Sequence, residues 1–234
     1  MNNSAKILTL FDLDHTLLPI DSDQQWGKFL AKVGAVNSIM HTQKNENYYQ
    51  QYQAGVLNID EFLNFCLNPL SLYDREQLTV WQNQYVHEII QPNITSSALK
   101  LVEQMRKKST CLLVTATNSF VALPVAKLFG FDENHLIATE PDTFDNCEWY
   151  NTTANFTGKV LGTPCFQKDK ITKIEQWLTK NNLTKQDFSF IHAFSDSHND
   201  IPMLEWADMA IATNPDSILI EHAKQNAWPL LLLF

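Results

Sequence analysis

Two aspartates separated by one residue follow a short apolar run near the start of the chain. The run is Ile7–Phe11, and the acidic residues are Asp12 and Asp14. An almost wholly apolar run of this length predicts a strand buried on both faces, as in a parallel sheet, where ligands bind beyond the carboxyl ends of the strands. Two carboxylates so close repel each other unless a cation or a shared proton separates them. The pair therefore indicates a site for a hard divalent cation with oxygen ligands, such as Mg²⁺.

A second pair of acidic residues follows another apolar run. Asp196 and Asp200 come after the predicted strand Phe188–Phe194 and before Ile201-Pro202, which opens a predicted helix. An aspartate just before a helix is commonly its N-cap, which accounts for Asp200 without any chemistry. It accounts less well for Asp196, which lies at the strand end.

A hydroxyl and a lysine complete the set of candidate residues. Thr115 follows the predicted strand Cys111–Val114, where its hydroxyl and free backbone N–H groups could hold a phosphate oxygen. Lys170 lies near the start of a predicted helix, and Lys168 is its rival. Taken alone, either lysine is better explained as a solvated surface residue.

The elements that must position these residues alternate along the chain. Two more apolar runs, Met209–Ala212 and Leu230–Leu233, predict further strands. Helical patterns separate the strands, as in the segments after Thr95 and over 120–129 and 171–178. Strands that alternate with helices predict an α/β fold with a parallel sheet.

The stretch from Asp21 to Gln91 differs from the rest. Its apolar residues recur at helical intervals and we find no convincing strand there. An insertion of about 70 residues is too long for a loop, so it predicts a small helical domain between the first and second strands of the sheet. The polar and aromatic segment Asn146–Gly162 is a candidate hairpin.

Composition limits the class of protein and its partners. The chain has 234 residues, of which 44% are hydrophobic and 18% charged, and this excludes a disordered or fibrous protein. A net charge of −9 without a basic block argues against nucleic acid or an anionic membrane as a partner. Four cysteines without a CxxC pair, no signal peptide and no transmembrane-length apolar run lead us to expect a soluble cytoplasmic protein. Composition says nothing about the oligomeric state.

Taken together, the candidate residues resemble the haloacid dehalogenase (HAD) superfamily. Its four motifs are DxDxT, a hydrophobic strand ending in Ser or Thr, a lysine, and an acidic DxxxD pair. They match, in the family's order, Asp12/Asp14/Thr16, Thr115, Lys170 and Asp196/Asp200. Each motif is weak alone, and the four in order make the resemblance specific.

The resemblance also implies a domain organisation. The helical insertion occupies the place of the family's type 1 cap, as in the phosphoserine-phosphatase-like branch, subfamily IB. It implies a three-layer Rossmann-like parallel core formed by residues 1–18 and 92–234, with a helical cap domain formed by residues 19–91.

For the catalytic residues, the resemblance implies a Mg²⁺-dependent phosphatase. Asp12 would be the nucleophile that forms an aspartyl-phosphate, and Asp14 the general acid and then the base. The ligands of Mg²⁺ would be Asp12, the backbone carbonyl of Asp14, and Asp196. Alternatives are a phosphotransferase or mutase with the same intermediate, and a non-catalytic module that binds phosphorylated ligands.

For the remaining residues, it implies supporting roles. Thr115 and Lys170 would stabilise the transferring phosphoryl group, and Asp200 would support the metal's water shell or orient Lys170.

The substrate that the resemblance implies is a small phosphorylated metabolite. Asp21 falls where phosphoserine phosphatases have a glutamate that meets the substrate's amino group, and His15 where they often have serine. These departures make an amino-bearing ester such as histidinol phosphate as plausible as phosphoserine. Asp21 is equally well explained as a helix N-terminal aspartate. His15 and His198 lie in the proposed catalytic loops without a partner at zinc-ligand spacing.

Overall fold

A six-stranded parallel sheet forms the centre of the molecule in the computed structural model, which describes residues 6–144, 147, 150 and 153–234. Its strands lie in the order β3-β2-β1-β6-β7-β8. The strands are β1 (Lys6–Phe11), β2 (Thr110–Asn118), β3 (Leu136–Thr139), β6 (Phe188–Ser195), β7 (Met209–Thr213) and β8 (Leu230–Leu231). The sheet confirms the expected α/β fold with a parallel core.

Helices cover both faces of this sheet. They are α1 (Ser22–Lys32), α2 (Ser38–Gln53), α3 (Ile59–Ser71), α4 (Arg75–Tyr85), α5 (Ser96–Arg106), α6 (Ser119–Leu128), α7 (Asp169–Lys180), α8 (Ile201–Trp206) and α9 (Ser217–Gln225). On β1, Leu8 and Leu10 belong to the apolar cluster that includes α7, α8 and α9, whereas Phe11 belongs to the cluster that includes α5 and α6. Because side chains alternate along a strand, β1 must be apolar on both faces, which explains its continuous apolar run.

Four of the helices, α1 to α4, lie between β1 and β2. Each begins after a residue whose side chain accepts a backbone N–H three positions on, namely Asp21, Asn37, Asn58 and Asp74. Such N-caps satisfy donors that the first helical turn leaves unpaired. The helical character of the insertion agrees with its sequence, and its limits at residues 19 and 91 remain a prediction.

Three details differ from the sequence-based expectations. β3 is an additional strand, four residues long. β2 continues to Asn118, so Thr115 lies within the strand, where the pairing register with β3 shifts between Val114 and Asn118. At the other end of the sheet, β8 covers only Leu230–Leu231.

A separate antiparallel pair packs beside α3. It consists of β4 (Pro141–Thr143) and β5 (Phe156–Val160), so it begins before the expected hairpin at Asn146–Gly162. Part of that expected segment lies outside the described residues. Gly158 has φ +81°, and a Cβ atom there would lie 2.9 Å from Ser71 Oγ. Glycine therefore allows the close approach of β5 to α3.

Candidate active site

Three of the expected site residues are joined by hydrogen bonds at the carboxyl ends of β1 and β6. Asp12 directly follows β1, and its backbone N–H donates to Phe194 O on β6 at 2.9 Å. Lys170 Nζ donates to Asp12 Oδ1 at 2.8 Å and to Asp200 Oδ2 at 2.7 Å. All three side chains are buried. Lys170, at the start of α7, is therefore the lysine of this site, whereas Lys168 is exposed.

Asp200 orients Lys170, and its side chain does not cap the helix that follows it. Its Oδ2 also accepts a hydrogen bond from Ser195 Oγ at 2.7 Å, and its side chain makes no capping bond to α8. Asp200 occupies the N-cap position of α8, as the sequence predicts, but its carboxylate accepts hydrogen bonds from Lys170 and Ser195 and makes no capping bond.

The Asp12 carboxyl group holds its proton more tightly than an ordinary aspartate. Burial raises its pKa to about 7, with Asp200 and Asp14 adding to the shift and Lys170 opposing it. Burial lowers the pKa of Lys170, but the carboxylates of Asp12 and Asp200 more than compensate and raise it above its ordinary value. A positive charge on Lys170 is thus fixed beside Asp12.

Both oxygens of the Asp14 carboxyl group are held by neighbours. Ser22 N, at the start of α1, donates to Oδ1 at 2.8 Å, and Thr117 Oγ1, on β2, donates to Oδ2 at 2.6 Å. Burial, helped by the nearby Asp21, raises the pKa of Asp14 to about 6. Asp14 can therefore give or take a proton near neutral pH.

The fourth carboxylate, Asp196, is tied to the loop after β1. Thr16 Oγ1 donates to Asp196 Oδ1 at 3.0 Å and accepts from Asp196 N at 2.9 Å. Burial, together with Asp12 and Asp200, raises the pKa of Asp196 well above its ordinary value. The structure thus brings the two expected DxD and DxxxD motifs together.

These donors suit a hard cation with oxygen ligands. The carboxylate of Asp12 helps to raise the pKa of Asp196, and a divalent cation would offset that repulsion. The side chain of Asp14 is already occupied, which leaves its backbone carbonyl as a ligand. Within the described residues, no three His, Cys, Asp or Glu side chains are grouped for a metal.

Thr115 lies in the same pocket as Asp12 and Asp14. It is buried, and its Oγ1 accepts a hydrogen bond from Thr117 N at 3.1 Å. The hydroxyl therefore retains a proton with which it can donate to a phosphoryl oxygen.

Asp21 is the N-cap of α1 and also lines the pocket, so its contact with a substrate's amino group stays a prediction. Its Oδ1 accepts from Gln24 N at 2.7 Å and caps α1, and the residue also lines the pocket. Burial raises its pKa to about 6, partly countered by the N–H of Gln24.

The two loop histidines lie outside the pocket lining. His15 has φ +57°, and its Nε2 is 3.2 Å from Tyr49 OH on α2. His198 Nδ1 is 2.8 Å from Asp216 Oδ2, which also accepts the backbone N–H of His198 at 2.8 Å. His15 thus connects the loop after β1 to α2, and His198 connects the loop after β6 to Asp216, the N-cap of α9.

The pocket contains residues that the sequence analysis missed. Asp23 follows Asp21 by two positions and accepts from Asn118 Nδ2 at 2.8 Å. A set on α2 also lines the pocket, at positions 45, 48, 49 and 52: Asn45, Tyr48, Tyr49 and Tyr52. The i, i+3, i+4, i+7 spacing of this set was the available signal.

Comparison with known proteins agrees with this geometry. Residues 9–205 match the family model described as haloacid dehalogenase-like hydrolase. The chain is 37% identical over 228 residues to a histidinol-phosphatase of Neisseria meningitidis serogroup C, covering 97% of this chain and 98% of that protein.

Solved structures give the same result for the fold. A protein of unknown function from Bordetella pertussis Tohama I is 37% identical, with a TM-score of 0.89 over 99% of this chain and 100% of that one. A phospho-aspartyl intermediate analogue of phosphoserine phosphatase has a TM-score of 0.66 at 18% identity, over 99% of this chain and 95% of that one. In the part of the chain that the structure describes, no helix combines the length and the hydropathy needed to cross a membrane.

Proposed function

The chain belongs to the haloacid dehalogenase-like hydrolase family and is a phosphoric monoester hydrolase, and we propose that it is Mg²⁺-dependent and forms an aspartyl-phosphate on Asp12. We further propose that its substrate is a small amine-bearing phosphomonoester, with histidinol phosphate as the first candidate.

The observation that carries the proposal is the hydrogen-bonded series Asp12–Lys170–Asp200. A phosphate dianion can approach a carboxylate nucleophile only if nearby cations offset the repulsion. Lys170 lies 2.8 Å from Asp12 Oδ1, and Asp200 keeps it there. When bound by Asp12, Asp196 and the backbone carbonyl of Asp14, Mg²⁺ would supply further positive charge at the phosphoryl group.

In the first step, a carboxylate oxygen of Asp12 attacks phosphorus in line and the bond to the leaving oxygen breaks. Asp14 donates its proton to that oxygen and releases the alcohol. In the second step, Asp14 takes a proton from water, which attacks the aspartyl-phosphate and regenerates the Asp12 carboxylate. A pKa of about 6 for Asp14 makes both of its protonation states available near neutral pH.

The phosphoryl oxygens need donors other than the metal. The Thr115 hydroxyl and the Lys170 ammonium would donate to them, and both side chains are buried in the site. Fixed donors in a buried site stabilise the developing charge without first reorganising water.

Two observations support an amine-bearing substrate. The Asp21 carboxylate lines the pocket beyond the catalytic residues, where a substrate ammonium could bind. The relative that is 37% identical over nearly its whole length is a histidinol-phosphatase.

Phosphate release from about a hundred phosphorylated metabolites, with Mg²⁺ and with EDTA, tests the proposed activity. We expect release from histidinol phosphate with Mg²⁺ only. Absence of turnover on every ester would contradict the proposed activity, and equal turnover in EDTA would contradict the metal dependence.

The intermediate can be tested with an Asp14→Asn variant and p-nitrophenyl phosphate. This leaving group departs without a proton donor, so the variant should form the aspartyl-phosphate and then hydrolyse it slowly. Acid quenching should yield one phosphate bound per chain that hydroxylamine removes. Rapid turnover with no bound phosphate would contradict the covalent route.

A further inference from the structure

Helix α2 presents one continuous face to the pocket. Tyr48, Tyr49 and Tyr52, here called the tyrosine stripe, follow Asn45 at helical spacing, and all four line the pocket. Only His41 and Asn45 of this helix are fully buried. Tyr48, Tyr49 and Tyr52 are only half-buried, so part of each side chain remains available to a ligand.

The stripe runs from the catalytic carboxylates into the cap. At one end, Asn199 Nδ2 donates to Tyr52 O at 3.1 Å, and the ring of Tyr52 lies 6.2 Å from that of Phe166. At the other end, Asn45 Nδ2 donates to Gln24 O at 2.8 Å. Seven residues of α-helix span about 10 Å. This length matches a leaving group extending away from Asp12.

Two further carboxylates, those of Asp21 and Asp23, line the pocket. Asp23 is almost wholly buried and accepts a hydrogen bond from Asn118 Nδ2. Asp21, two residues earlier, is the N-cap of α1. Neither forms an ion pair within the described residues. The described lining also contains no lysine or arginine. This part of the pocket is therefore acidic, which favours a positively charged ligand over an anionic one.

We propose that Asp23 and the tyrosine stripe are specificity-determining residues that select a positively charged leaving group carrying a flat, unsaturated ring. The carboxylates attract the cation, and the tyrosine faces accept both the ring and the charge. This inference rests on the proposed function, to which it adds the residues that choose the substrate.

The same residues reject an anionic leaving group. A substrate carboxylate, as in phosphoserine, would face Asp21 and Asp23 with no described basic side chain in the lining to pair with it. Like charges brought together in a part-buried pocket disfavour binding, so the pocket discriminates by repulsion as well as attraction. Histidinol phosphate has the amine and the ring and lacks the carboxylate.

The first test compares Asp23→Asn with wild type on two esters, histidinol phosphate and p-nitrophenyl phosphate, the second of which has no cation. We expect kcat/KM for histidinol phosphate to fall at least tenfold more than kcat/KM for p-nitrophenyl phosphate, mainly through KM. The matched control is Asp60→Asn, because Asp60 is exposed on α3 and lies outside the pocket. An equal loss on both esters, or wild-type preference for phosphoserine over histidinol phosphate, would overturn the inference.

The second test separates the ring of Tyr49 from its hydroxyl, which bonds to His15. Tyr49→Phe should keep the preference for histidinol phosphate over an aliphatic aminoalkyl phosphate, and Tyr49→Leu should reduce it at least fivefold. Equal preferences in the two variants would contradict a role of the Tyr49 ring in substrate selection.

The third test measures binding without turnover. Calorimetry with L-histidinol should detect binding to wild type and at least tenfold weaker binding to Asp23→Asn. If no ester is hydrolysed but this difference is found, the proposed function fails and the inference stands. If esters are hydrolysed but Asp23→Asn binds L-histidinol as tightly as wild type, the inference fails and the proposed function stands.

Discussion

Lys170 Nζ lies 2.8 Å from Asp12 Oδ1, and less than a tenth of either side chain is exposed. Asp200 Oδ2 lies 2.7 Å from the same ammonium. This buried ammonium balances the charge of two carboxylates in the fold, besides the catalytic role that we propose for it. Removal of the Lys170 cation should therefore lower the free energy of unfolding, which can be measured separately from activity.

Replacement of this lysine should destabilise the protein strongly. Lys170→Met removes the cation that pairs with the buried carboxylates of Asp12 and Asp200, at a cost of about 3–5 kcal/mol in the free energy of unfolding. Urea unfolding measures the loss. Lys168→Met is the control, because Lys168 is exposed two residues away and should lose less than about 0.5 kcal/mol. Similar losses in the two variants would contradict the assignment of Lys170.

An Asp12→Asn variant should fold normally and release no phosphate. The amide oxygen of asparagine can still accept a hydrogen bond from Lys170, but a neutral amide is a poor nucleophile. Circular dichroism and a urea unfolding curve check the fold, and a phosphate-release assay checks the activity. Full activity in the variant would be incompatible with nucleophilic attack by Asp12.

The stability of the EDTA-treated protein should decrease as the pH rises. The folded-state pKa of Asp14 is about 6 against an ordinary 3.8, so between these values the folded state binds more protons than the unfolded state. The contribution is complete below about pH 4 and is lost as the pH passes 6. It is at most about 3 kcal/mol.

Urea unfolding between pH 5 and pH 8 checks this prediction. Asp14→Asn should show a shallower decrease, because the variant lacks one group with a raised pKa. Added Mg²⁺ should stabilise wild type more at pH 8 than at pH 5, since the carboxylates that would bind it must be ionised. Stability that increases with pH in EDTA would contradict the raised pKa of Asp14.

Alanine variants of two glycines distinguish the effect of backbone strain from the effect of contact with the loop after β6. Gly34 and Gly55 have φ +76° and +70°, so an alanine at either position should cost about 1–2 kcal/mol. A Cβ at Gly34 meets nothing within 4 Å, whereas one at Gly55 would lie 2.7 Å from His198 Nε2. His198 cannot easily move because Asp216 holds its Nδ1.

The two variants should therefore differ in kinetics, and Gly55→Ala should lose more stability than Gly34→Ala because it adds a clash to the backbone strain. Gly55→Ala should raise KM several-fold, because the added methyl group forces α2 away from the loop that contains Asp196. Gly34→Ala should leave KM unchanged. Steady-state kinetics and urea unfolding of both variants check this pair, and equal KM values would show that the contact at Gly55 has no effect on the site.

The residues of the proposed catalytic site could be identified from sequence because most of them lie next to a strand end or a helix start. Asp12 and Asp196 follow buried strands whose apolar runs are unmistakable, and parallel strands bring their carboxyl ends together. The partners of Asp14 could not be predicted this way. Ser22 and Thr117 are small hydroxyl residues of ordinary type, and only the folded chain brings them to the same carboxylate.

Helix α2 escaped prediction for a different physical reason. A helix that packs on the core shows an apolar stripe, whereas the pocket face of α2 consists of one asparagine and three tyrosines. Strand β3, Leu136–Thr139, was missed because four residues are too short to show a period.

The sparse burial of α2 has an evolutionary consequence. Since the tyrosines of its pocket face are only half-buried, substitutions of these three residues should cost less folding energy than substitutions in the apolar core. The carboxylates and Lys170 sit on other elements and would be untouched by such changes. Descendants of this enzyme could therefore acquire new substrates by altering one sixteen-residue helix while inheriting the chemistry intact.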